Sequence, residues 1–81
     1  MTLNKAFAMR LTNILVDKNI SKYALEKESG LSHSALRHIF NERNKEVKLS
    51  TIARVAQALN MTLDEFFADP IFNLEKLEFD N

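Results

Sequence analysis

The feature that most constrains this chain is its single glycine, Gly30, set between two stretches that each repeat at helical spacing. Lacking a β-carbon, glycine accepts the left-handed conformation that closes a helix, so the chain can stop, reverse and restart within a few residues. Before it, Ser21 is a good N-cap, and Lys22 to Ser29 predicts a short second helix with Tyr23, Leu25 and Ser29 as its inner face. After it, Ser32 is another N-cap, and Ser32 to Asn41 predicts a third helix. On that helix Leu36, Ile39 and Phe40 share one face, while His33, Ser34, Arg37 and His38 share the other. An apolar back and a front of hydrogen-bonding side chains suit insertion into a DNA groove.

The flanking stretches supply the rest of an all-α fold. Phe7, Leu11, Ile14 and Leu15 mark an amphipathic first helix from Asn4 to Asn19, with Met9 and Val16 widening its stripe. The polar run Glu42 to Lys48 has no periodicity and reads as a loop. Leu49, Ile52, Ala53, Val55, Ala56 and Leu59 then mark a fourth helix from Ser50 to Leu59, with Asn60 as a left-handed terminator. Thr62-Leu63-Asp64-Glu65 is a capping box, and Met61 and Phe66 can form the hydrophobic staple of a fifth helix. Asp69-Pro70 ends it. The expected organisation is a five-helix domain over residues 1–69 and an acidic, apolar C-terminal tail over 70–81. Ile71, Phe72, Leu74, Leu77 and Phe79 are too many apolar side chains to leave in water. The tail therefore folds back on the first helix, packs against a second subunit, or meets another protein.

Composition narrows the function classes. A chain of 81 residues with 46% hydrophobic content has room for one small core, marginal enough to make a homodimer plausible. The absence of cysteine excludes disulfides and thiolate metal sites. No apolar run approaches the roughly 20 residues of a membrane span, and the N-terminus lacks a secretory pattern, so the expected location is cytoplasmic. There is no nucleophile beside a base, no phosphate-cradling glycine loop and no paired carboxylates, which argues against an enzyme, and no cofactor is implied. His33 and His38 are five apart, not at the spacing that brings two imidazoles to one metal, so no metal site is expected. The zero net charge hides an asymmetry: residues 1–61 hold ten basic against five acidic side chains, and residues 62–81 hold one against six. A body of +5 with a tail of −5 is a footprint compatible with nucleic acid.

From Val16 to Phe67 the chain resembles the Xre-type helix-turn-helix repressors, the family of the lambdoid phage repressors and Cro. The resemblance rests on Leu25, Gly30-Leu31-Ser32, Leu36 and Ile39, then on Leu49-Ser50-Thr51-Ile52-Ala53, Ala56 to Leu59, and Met61 to Phe67. It implies a five-helix lambda repressor-like domain and a sequence-specific regulator of transcription on double-stranded DNA, a repressor, whose third helix enters the major groove. Carried over, His33, Ser34, Arg37 and His38 are the candidate base readers. Arg37 leads, because a guanidinium can donate two bonds to one guanine. Ser21, Lys22 and Ser32 open helices whose N-termini favour phosphate, and Asn41, Arg43, Asn44, Lys45 and Lys48 follow the reading helix, where the family meets the backbone. The family generally binds as a two-fold dimer on half-sites about 34 Å apart. Two positions depart from its pattern: Glu26 stands where a small residue is usual, and Phe40 and Leu15 replace a glutamate–arginine pair. The competing reading is a protein-binding adaptor or antitoxin-like module that uses the same fold and binds through its tail.

Overall fold

Four of the five helices begin where a hydroxyl takes a free backbone amide. Thr2, Ser21, Ser32 and Thr62 each adopt extended backbone and accept the N–H three residues on, from Lys5, Ala24, Ala35 and Glu65. The computed structural model describes residues 1–41 and 46–79. It contains α1 Leu3–Lys18, α2 Lys22–Ser29, α3 His33–Phe40, α4 Leu49–Ala58 and α5 Leu63–Phe67, then 3₁₀ turns at Pro70–Phe72 and Leu74–Lys76. The fold is all-α, and Ser32 and Asn41 prove to be the caps of α3 rather than its ends. α4 alone starts without a side-chain cap bond, at Lys48.

Among the described residues three in the left-handed region stop or turn the chain: Asn19 after α1, Gly30 after α2 and Asn60 after α4. At Asn19 the reversal is secured by its own N–H on the carbonyl of Val16 (3.1 Å) and by the N–H of Ile20 on that of Leu15 (2.9 Å). The helices then close around one core. Phe7, Leu11, Ile14 and Leu15 of α1 meet Leu25 of α2, Leu36 and Ile39 of α3, Ile52, Val55 and Ala56 of α4, Leu59 and Phe66. α1 packs on α3, and α2 packs on α4, so the glycine turn is braced from both sides.

Some expected core residues lie outside. Tyr23 is 65% exposed, because two residues from Leu25 is the opposite side of a helix, and its ring carries the Lys27 ammonium 4.8 Å away. Val16 lies just beyond the buried stripe and is 72% exposed, and Met9 is also exposed. Leu49 is the first residue of α4 and stands ahead of a core that starts one turn later at Ile52.

The tail packs on its own chain. Phe72 puts its ring 5.7 Å from Phe7, 5.0 Å from Phe67 and 6.2 Å from Phe66, extending the core across the end of α5. Leu77 is buried, and Glu78 donates its N–H to the carbonyl of Met1 at 2.8 Å. Leu74 and Phe79 remain exposed, so not all five apolar tail residues leave water. Arg10 completes the joint from α1. Its Nε and Nη2 donate to the carbonyls of Phe66 (2.8 Å) and Glu65 (3.0 Å), and Nη1 lies 3.4 Å from Asp69 Oδ2. These are carbonyls at the end of a helix, where a cation is favoured.

Candidate nucleic-acid interface

α3 is held from behind by two fully packed residues, Leu36 and Ile39, so its outward side is fixed by the core. His33, Ser34, Arg37 and His38 are all exposed on that side. No carboxylate lies between Ser32 and Asn41, and Arg37 has no hydrogen-bond or ion-pair partner among the described residues. A guanidinium in that state keeps its donors for a ligand.

The two histidines are placed differently. His33 sits at the start of α3, and its Nδ1 lies 3.2 Å from Oε2 of Glu26 on α2. His38, near the end, donates from Nε2 to the backbone carbonyl of Glu46 at 2.6 Å. That bond ties its ring to the chain just before α4. Among the described residues no cluster of three or more His, Cys, Asp or Glu could hold a metal ion.

The candidate phosphate-binding residues beside α3 start from capping chemistry at the helix N-termini. Ser21 Oγ takes the Ala24 amide at 3.0 Å and Ser32 Oγ takes the Ala35 amide at 3.1 Å, which leaves the earlier amides of α2 and α3 without a helical partner. Within the turn, the Leu31 N–H is taken by Ser29 Oγ at 3.2 Å. Lys22, at the first position of α2, rests its Nζ 4.1 Å from the centroid of the Phe40 ring. The Phe40 that stands where the family has a charged residue is thus half-buried: it packs on a core that includes Leu15 and also seats a cation. Lys48 is exposed at the start of α4, and Asn41 is exposed at the end of α3. Arg43, Asn44 and Lys45 lie outside the described residues.

Sequence reasoning named most of this surface but not its internal contacts. Glu26 stood out only as a departure from a small residue, and that departure was the one signal pointing to it. Its carboxylate is part-exposed rather than buried bare, and it meets the imidazole of His33 on α3. The Lys22–Phe40 contact joins residues on separate helices, which helical spacing does not connect.

Comparison with curated proteins and with solved structures gives no match. The model of the Cro/C1-type HTH DNA-binding domain matches residues 10–70, about three-quarters of the chain and all of the helices that build this face. Two helices joined at a left-handed glycine, the second with a buried apolar back and a polar front that carries no carboxylate of its own, are the structural form of that match, and the chain belongs to the Cro/C1-type family of DNA-binding regulators.

Proposed function

We propose that the protein is a transcriptional repressor that reads the major groove of double-stranded DNA with α3. The observation that carries the reading is the front of that helix: His33, Ser34 and Arg37 exposed together, with Arg37 unpaired among the described residues and no acid beside it. Arg37 contributes guanine recognition through paired bonds to N7 and O6, and Ser34 and His33 read neighbouring edges. His38 is the most constrained of the four, since its ring is already bonded to Glu46. Ser21, Lys22 and Ser32 hold phosphates at helix N-termini, with Lys48, Asn41 and the loop residues Arg43, Asn44 and Lys45 anchoring the far side. Repression follows from occupancy, since a protein seated in the groove excludes others from the same site.

The length of α3 supports a two-fold assembly. Its eight residues span about 12 Å, enough for roughly four base pairs, so a homodimer on two half-sites about 34 Å apart supplies the rest of the specificity.

Two measurements divide the roles. In gel-shift titrations on random duplex DNA at rising salt, Lys22→Ala and Lys48→Ala each reduce the log–log salt slope by about 0.9 and weaken all sequences alike. Arg37→Ala instead relaxes sequence preference, with a loss of about 1 to 3 kcal/mol on the preferred site and little on random DNA. Absence of any salt-sensitive binding by the wild-type chain rejects the reading and leaves the adaptor.

A further inference from the structure

We infer that Glu26 is a positioning residue for base recognition, one that makes His33 select an amino base, adenine or cytosine, at its position in the half-site. The inference deepens the proposed reading of DNA by α3 and rests on it. Its geometric basis is the 3.2 Å contact between Glu26 Oε2 and His33 Nδ1, made across the turn from one helix to the next. The carboxylate side chain is 30% exposed and the imidazole 71% exposed, so the contact lies at the edge of the interface with the ring reaching outward.

The chemistry of the pair is asymmetric. An ionised carboxylate only accepts hydrogen bonds, so the proton of a neutral imidazole in this contact sits on Nδ1. Nε2 then carries a lone pair, and it has no partner among the described residues. Whatever meets Nε2 must donate. In the major groove adenine offers N6–H and cytosine N4–H, whereas guanine and thymine offer acceptors at the corresponding edge. An unrestrained histidine takes either tautomer and accepts both classes of base. Glu26 removes one of the two options by chemistry rather than by shape, and it does so from α2, outside the reading helix.

The test is in vitro selection of the intact chain on a random duplex library at pH 8, where imidazole is ordinarily neutral. Wild type, His33→Ala, Glu26→Ala and Glu26→Gln are compared. His33→Ala identifies the position by flattening it. At that position wild type favours adenine or cytosine over guanine or thymine by about fivefold, the size of one hydrogen bond. Glu26→Ala levels the ratio to within about twofold there and nowhere else. Glu26→Gln is the decisive variant, because its amide keeps the size and the hydrogen bond but can turn its NH₂ to Nδ1 and so permit the other tautomer. It levels the ratio as well. If Glu26→Gln preserves the wild-type ratio, Glu26 is a brace and the inference fails; it fails equally if wild type prefers guanine or thymine at that position, or if His33→Ala changes no position. Those failures leave a selected motif in hand, so the DNA-reading proposal survives them. A wild-type selection that yields no motif overturns that proposal instead.

Discussion

At Gly30 it is the backbone, not crowding, that excludes other residues. Its φ is +70°, and nothing lies within 4 Å of where a β-carbon would stand. Gly30→Ala therefore costs the left-handed strain alone, about 1 kcal/mol or slightly more in urea unfolding. Gly30→Asn costs less, because asparagine already holds this conformation in the chain at Asn19 and Asn60. Arg10 is the opposite kind of residue, defined by partners. Its side chain is 16% exposed and satisfies the last carbonyls of α5, so Arg10→Ala destabilises by about 2 to 3 kcal/mol. Asp69→Asn, at the longer and more exposed end of the same contact, changes stability by less than about 1 kcal/mol. Gly30 was legible in the sequence because its constraint is local. Arg10 counted there only as one positive charge, since the carbonyls it bonds lie 55 and 56 residues away.

At the scale of an element, α5 shows what five residues need in order to be a helix. Thr62 Oγ1 accepts the Glu65 amide at 3.3 Å, while Glu65 Oε1 accepts both the Thr62 N–H and its hydroxyl at 2.9 Å. Thr62→Ala removes half of this box and costs about 1 kcal/mol. The bonds from the Thr62 amide, and then from its hydroxyl, favour the ionised carboxylate and hold Glu65 below its usual 4.5. A carboxyl whose pKa is lower folded than unfolded stabilises the fold above its unfolded value, and that contribution is lost as pH falls through the folded one. The stability gap between wild type and Glu65→Gln accordingly narrows in unfolding curves taken from about pH 6 down to about pH 3, and a gap independent of pH contradicts this account. The box, the hydroxyl caps at Ser21, Ser32 and Thr62 and the helix order are readable because each is written within a few neighbouring residues, whereas the Thr2 cap of α1 shows only in the structure. Burial was read less well, since Tyr23 and Leu49 are apolar in the right region but their exposure is decided by which helix stands opposite. The candidate interface divides the same way: the front of α3 follows from its own spacing, whereas the contacts of His33 with Glu26 and Lys22 with Phe40 exist only once the turn has folded.

For the whole molecule, the open question in the sequence was what covers the apolar tail, because a count of apolar residues does not name the surface that receives them. The structure closes the chain on itself. The parallel bridge between Thr2 and Glu78 and the Phe7–Phe66–Phe67–Phe72 group make residues 70–78 a lid on the end of α1 and α5. An acid is paired at each end of the lid, Asp69 just before it beside Arg10 and Glu78 3.5 Å from the N-terminal ammonium. Both are partly exposed pairs that add little stability, so the aromatic contacts hold the lid. Phe72→Ala removes a half-buried ring with three aromatic neighbours and costs about 2 kcal/mol, which for a domain of this size lowers Tm by about 8 to 16 °C. Leu74→Ala, at a side chain 69% exposed, moves it by no more than the roughly 0.5 kcal/mol of an ordinary surface change. Phe72→Ala, measured against the wild type, also separates docking within the chain from docking on a second subunit. An intramolecular lid gives a Phe72→Ala deficit that is the same across a hundredfold range of protein concentration. A lid seated on a partner gives melting temperatures that rise with concentration in the wild type and a deficit that changes with it.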